Sequence, residues 1–126
     1  MSSTRPSASI TWLEGDVRSM PSAISSSSIS VAFDKGTLDA MIHGSPWDPP
    51  DDVMQNAKAY MSEVQRVLEE QGVFLYVTYR QPHFIRPLLN AAGEWTEVEM
   101  ETLGDGEGFD YFGWVLRKRA LKQQRE

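Results

Sequence analysis

At 126 residues, with a formal charge of −6 and no cysteine, the chain excludes several classes at once. A disulfide framework is impossible, no apolar run approaches the ~18 residues of a membrane span, and the acidic balance argues against general nucleic-acid binding. The length bounds it to one domain, near the lower end for an α/β fold, and 40% apolar residues with four Trp and five Phe suffice for a core.

Met1 to Ser9 is serine-rich, carries Arg5, and lacks the Arg-rich amphipathic pattern of a transit peptide; it reads as a disordered tail. Ile10 to Leu13 is β-prone and is predicted as a strand, stopped by Glu14, Gly15 and Asp16. Val17 to Ser28, with Pro21 and a run of serines, reads as loop. Ile29 to Phe33 is an apolar strand that ends abruptly at Asp34, Lys35 and Gly36. That is the pattern of a buried strand delivering polar groups to its carboxyl end, where ligands bind in open α/β sheets. Gly36 permits a sharp turn, and Thr37 is the expected cap of a short helix over Leu38 to Ile42, ended by Gly44 and Pro46.

Ser45 to Pro50 holds three prolines and cannot be regular structure. Asp51 or Asp52 is the expected cap of a long helix. Val53, Ala57, Tyr60, Met61, Val64, Val67 and Leu68 recur on one face of it, with Gly72 as its left-handed stop. Val73 to Tyr79 is apolar on both faces, as in a strand covered by helices on both sides. With the Ile29 strand ahead of it, the helix and this strand make a right-handed βαβ unit. Pro82 and Pro87 place the next regular helix at Arg86 to Ala92, with Gln81 to Ile85 as a turn leading in. Trp95 to Thr102 alternates, Val98 and Met100 against Glu97, Glu99 and Glu101, which predicts a half-exposed strand near an edge. Leu103 to Gly108 is a flexible connection, and its glycines at 104, 106 and 108 read as hairpin loop. Phe109 to Leu116 returns as an interior strand. The cluster Arg117, Lys118, Arg119, Lys122 and Arg125 reads as a solvated end, or as a patch for an acidic partner. Two histidines forty residues apart and no cysteine give no metal-ligand spacing.

The string DKGTLDA, Asp34 to Ala40, resembles the motif after the fourth strand in one branch of the class I S-adenosylmethionine-dependent methyltransferases. That branch includes the enzymes that methylate lysines of translation elongation factor one alpha, and endothelin-converting-enzyme-associated relatives. WLEGDVRSMP, from Trp12, resembles the loop after the family's third strand. MSEVQRVLEEQGVFLYVTYRQPHFIRPLL, from Met61, resembles its following helix, fifth strand and next turn. GFDYFGWVLRK, from Gly108, resembles its last strand. The similarity covers residues 10–119, a partial domain between the tail at 1–9 and a basic tail at 120–126. The family's opening strand with its G-x-G turn, and the second strand with an acidic residue for the ribose, have no counterpart in this sequence. The usual Phe-Asp ahead of the fourth strand is replaced by Ile29-Ser30.

The resemblance implies an α/β fold: a truncated Rossmann-like methyltransferase fold, mostly parallel, with a C-terminal antiparallel hairpin. It implies S-adenosylmethionine as cofactor, with Asp16 on the adenine amino group, Val17 beside the ring, and Asp34 and Gly36 beside the methyl donor. Weak or absent binding is expected of this chain alone. The implied reaction methylates a protein lysine, with Asp34 orienting the amine, Lys35 as a candidate base and His43 as a candidate proton shuttle. His83 resembles a family position near the substrate side; Trp47, in the proline-rich loop, reads as part of a substrate lid or as loop core. Without the family's first strands, the Ile29 strand shows an open edge. Either the Ile10 strand closes on it, or two copies pair edge to edge as a homodimer, or a partner supplies the missing half. The alternative to an enzyme is a non-catalytic pseudoenzyme or binding module that pairs with itself or with a complete methyltransferase. A cytoplasmic location, without nucleic-acid or membrane partners, completes the expectation.

Overall fold

The computed structural model describes residues 9–91, 95–104 and 110–118. The expectations for residues 1–8, for Gly106, Gly108 and Phe109, and for the basic residues beyond Lys118 lie outside the described residues. The order is β1 (Ile29–Asp34), α1 (Thr37–Met41), α2 (Asp51–Val67), β2 (Leu68–Thr78), α3 (Pro82–Leu89), β3 (Trp95–Leu103) and β4 (Tyr111–Lys118). The strands form one sheet in the order β1-β2-β4-β3. β1 and β2 are parallel, and β4 runs antiparallel to both β2 and β3. So the parallel pair flanking α2, the interior position of β4 and the edge position of β3 all match the sequence reading.

The register fixes which residues share a face. Phe33 pairs with Leu75 and Leu75 with Val115, whereas Ala32 pairs with Phe74 and Phe74 with Leu116. The even-numbered set faces the helices. Phe74, Tyr76, Trp114 and Leu116 are buried there against Val53, Ala57, Tyr60, Met61 and Val64 of α2, and against Ile85, Leu88 and Leu89 of α3. Side chains of this size contribute about 1.5–3 kcal/mol each on full burial, which is why the stripe on α2 dominates the fold.

The odd-numbered set carries no helix among the described residues. Val31 is 55% exposed and Phe33 64%, and Val73, Leu75, Val77 and Val115 are half-buried. This corrects the expectation that Val73 to Tyr79 is covered on both sides: an apolar strand calls for two covering layers, but the elements that lie within the described residues supply one. The open edge expected of the Ile29 strand is present, since β1 ends the sheet.

Other expectations shift for local reasons. Ile10 to Leu13 is not a strand; Ile10, Trp12 and Leu13 are 73%, 87% and 52% exposed. A β-prone run needs a ladder partner, and this one has none among the described residues. Neither Asp51 nor Asp52 caps α2: Pro50 is the N-cap, and both aspartates sit in the first turn, where their charge suits the helix N-terminus. Gly72 is not the stop of α2. The helix passes straight into β2, and the left-handed turn is made by Gln71 at φ 70°. Glu69 to Gln71 loops out between the pairs Ile29–Leu68 and Val31–Val73. Gly72 is required there because a Cβ would meet the Glu69 carbonyl at 2.8 Å. Finally, α3 starts at Pro82 rather than Arg86, with Pro87 inside it. Pro82 occupies the first turn, where its missing N–H costs nothing. Pro87 and His83, the residue four before it, are both exposed, so the carbonyl that Pro87 leaves free faces solvent.

Candidate functional site

The carboxyl ends of β1 and β2 and the start of β4 meet at one end of the sheet. β1 delivers Asp34 there, but inward: the residue is 2% exposed. Its Oδ1 accepts the Thr37 amide at 2.8 Å, and its Oδ2 accepts the Leu38 amide at 3.0 Å and the Tyr60 hydroxyl at 2.8 Å. Asp34, not Thr37, therefore caps α1 and ties it to α2. Burial, and then the Asp34 charge, push the Tyr60 phenol far above its ordinary range. Gly36 makes the turn at φ +116°, the left-handed region, and a Cβ there would meet nothing within 4 Å. The backbone at Gly36 thus borders open space. Lys35 is exposed, and its Nζ lies 5.5 Å from the centroid of the Tyr111 ring.

That open space is a groove of about 850 Å³ between the 14–18 loop and α1. Asp16, Val17, Lys35 and Gly36 all line it, with Thr37 and Met41 as the α1 wall. Three of the cofactor candidates, Asp16, Val17 and Gly36, are therefore together, whereas Asp34 is buried. Asp16 is held by Arg18, whose backbone N and Nε donate to Oδ1 at 2.9 Å each and whose Nη2 donates to Oδ2 at 2.5 Å. The guanidinium pulls the Asp16 carboxyl down from 3.8 to about 2. Oδ2 has one donor and retains acceptor capacity. Arg18 Nη1 also donates to Asn56 Oδ1 of α2 at 2.9 Å, and the Met20 amide donates to Glu63 Oε1 at 2.7 Å. These bonds hold the loop against α2.

His43 lies on the other side of α1. It is exposed, its Nε2 is 2.8 Å from Asp52 Oδ2, and this bond holds the Asp52 carboxyl below its usual range. His43 and Lys35 border different cavities, so the structure does not bring those two candidates together. Trp47 is 79% exposed and packs edge-on to Phe84, with ring centroids 4.8 Å apart, and 5.9 Å from His83. Among the described residues no cluster of three potential ligands could hold a metal ion, and no helix is long and apolar enough to cross a membrane.

Sequence reading missed Asp39. Its carboxylate accepts the Tyr76 hydroxyl and, at 2.9 Å, the Thr78 hydroxyl, and lies 3.6 Å from Arg80 Nε. Arg80 Nη2 also donates to the Asp39 carbonyl at 3.3 Å. Asp39 thus fastens the middle of α1 to the end of β2. The only sequence signal was two hydroxyls at alternate positions, Tyr76 and Thr78, in an otherwise apolar strand.

No protein-family model matches the chain. In sequence it is similar to EEF1A lysine methyltransferase 4 of Mus musculus, with 32% identity over 117 residues, covering 90% of this chain and 44% of that protein. It is also similar to mitochondrial citrate synthase-lysine N-methyltransferase CSKMT of Pongo abelii, with 28% identity over 112 residues, covering 89% of this chain and 43% of that protein. The chain therefore spans less than half the length of these curated relatives. In structure it matches the N-methyltransferase NodS from Bradyrhizobium japonicum WM9, solved in complex with S-adenosyl-L-homocysteine, at a TM-score of 0.58 and 13% identity over 86% of this chain and 54% of that one. The chain therefore shares part of the fold of S-adenosylmethionine-dependent methyltransferases and is similar in sequence to protein lysine methyltransferases.

Proposed function

We propose that the chain contributes to methyl transfer from S-adenosylmethionine to a protein lysine, and that the groove between the 14–18 loop and α1 takes the adenosyl end of the cofactor. The observation that carries this reading is the convergence of Asp16, Val17 and Gly36 on one groove at the carboxyl ends of the strands. The residues fit: Oδ2 of Asp16 has room for an amino donor, Val17 offers an apolar flank, and Gly36 leaves the backbone open for close approach. When bound, the cofactor supplies an electrophilic methyl carbon on its sulfonium. Asp34 acts as a positioning residue, because its three hydrogen bonds set α1 as the groove wall. Lys35 borders the same groove, with its Nζ 5.5 Å from the centroid of the Tyr111 ring. His43 borders the neighbouring cavity, where its ring is held by Asp52.

Titration of the isotope-labelled chain with S-adenosylhomocysteine, followed by backbone NMR, tests this reading. Weak binding is expected, with shifts centred on Gly15 to Val17 and Lys35 to Thr37, and Asp16→Ala should abolish them. Shifts confined to other regions, or none near saturation of the ligand, would refute it.

A second reading is favoured by the open edge of β1 and the bare odd-numbered face beside it. On that reading the chain is a non-catalytic module that pairs with itself, or with a complete methyltransferase, through Val31 and Phe33. Light scattering after size-exclusion chromatography should show a dimer that Phe33→Glu converts to monomer; a monomer at every concentration sinks the self-pairing. We further propose a cytoplasmic location. The mitochondrial relative makes co-imaging with a mitochondrial marker the check.

A further inference from the structure

A second cavity, of about 260 Å³, lies across α1 from the groove. Its floor is Ile42, Val53, Ile85 and Leu88, and its mouth carries Arg80 and Gln81. We propose that this cavity seats one large apolar side chain of a polypeptide acceptor, a docking subsite separate from the transferred methyl group. The inference rests on the reading of the chain as part of a protein methyltransferase, and adds to it what the acceptor must present.

Three observations carry it. The first is size: the cavity exceeds several water volumes of ~30 Å³, yet falls below the roughly 300–1,000 Å³ of small-molecule sites. It suits a single bulky side chain better than a nucleoside. The second is charge. The Arg80 guanidinium already has a counter-charge in Asp39 at 3.6 Å, and the His43 ring is already bonded to Asp52 at 2.8 Å. A charged guest would find no unpaired counter-charge, and an apolar one loses nothing by entering. The third is the rim. The proline-rich loop beside the mouth holds Trp47 in place against His83 and Phe84, yet leaves it 79% exposed. An exposed tryptophan packed edge-on against a neighbouring ring beside an apolar pocket is the kind of anchor on which polypeptide recognition concentrates. Gln81 and Ser45, also at this opening, offer side-chain donors and acceptors to a peptide main chain.

The test uses the full chain, isotope-labelled, titrated with N-acetyl-leucine amide, N-acetyl-phenylalanine amide, N-acetyl-lysine amide and N-acetyl-glutamate amide. The leucine and phenylalanine probes should shift the amides of Ile42, Gln81 and Ile85 with a Kd of about 1–10 mM, as expected for probes this small. The lysine and glutamate probes should bind at least about tenfold more weakly, and Trp47→Ala should weaken the leucine probe about fivefold while leaving the rest of the spectrum unchanged. Equal response to all probes, shifts centred on Phe33 and Val115 instead, or no shift at all would each overturn the proposal. The titration needs no cofactor. Lost leucine-probe binding with retained S-adenosylhomocysteine binding refutes the subsite alone, whereas the reverse pattern refutes the cofactor groove and leaves the subsite standing.

Discussion

Tyr60→Phe tests whether Asp34 is an internal anchor. The substitution deletes one of the three donors to a carboxylate that is 2% exposed. It keeps the ring, which packs edge-on to Phe74 with centroids 6.2 Å apart, so little packing is lost. The deleted bond is buried and charge-assisted, which puts the expected loss at about 1.5–3 kcal/mol. Asp34 keeps the Thr37 and Leu38 amides, so the loss should not exceed that range. Asp34→Ala removes the acceptor from all three donors. Thr37 is exposed and can turn to solvent, but the Leu38 amide and the Tyr60 hydroxyl cannot. At about 1–3 kcal/mol per orphaned buried group, that variant should lose about 2–6 kcal/mol. The assay is guanidinium unfolding followed by tryptophan fluorescence, at low protein concentration and with equal m-values. In the Asp34→Ala background, Tyr60→Phe should recover about 1–3 kcal/mol, because it removes the orphaned hydroxyl. A loss below about 0.5 kcal/mol for Tyr60→Phe alone, or strict additivity in the double variant, would refute the anchor and return Asp34 to the list of groups free to meet a substrate.

Gly36→Ala should destabilise the chain by about 1–3 kcal/mol, since φ +116° is strained for any side chain even with open space around it; a neutral result in the same unfolding assay would refute the turn geometry. Asp39→Ala should cost more, about 3–5 kcal/mol, by leaving the Tyr76 and Thr78 hydroxyls and the Arg80 charge without their acceptor, and it should raise amide exchange throughout α1. Arg66, and then the Met20 amide, hold the Glu63 carboxyl below its ordinary 4.5. A depressed carboxyl stabilises the fold above that ordinary value and loses its contribution as the pH falls through the lower folded value. The protection factor of the Met20 amide, its exchange normalised to the intrinsic rate at each pH, should therefore fall as the medium is acidified below about pH 4.5 and stay flat above it; a fall on the alkaline side instead would refute the assignment.

What could be read from the sequence was whatever depends on near neighbours. The stripe Val53, Ala57, Tyr60, Met61, Val64 needs only the helical repeat, and all five are buried. The alternation of Val98 and Met100 with the glutamates of β3 needs only the strand repeat. What failed depends on distant company. Ile10 to Leu13 has strand-like residues, but a strand exists only with a partner. The second face of β2 is apolar in the sequence whether or not a layer lies on it. Asp34 displaced Thr37 as the cap of α1 because the turn at Gly36 folds the two amides back over its carboxylate, a geometry no propensity encodes. In the candidate site, the turn at DKGTLDA and the loop at WLEGDVRSMP border one groove. The fastening of α1 by Asp39 came from contacts some forty positions apart along the chain.

The one-sided sheet has a calorimetric consequence. Valine and leucine left wet on its odd-numbered flank are already hydrated before melting, so unfolding releases less new hydrocarbon to water. The heat-capacity increment should fall below the ~12–15 cal/mol/K per residue usual for globular chains. It should climb back toward that figure as rising concentration lets a second molecule dry the flank, so that the signature of melting itself becomes a gauge of assembly.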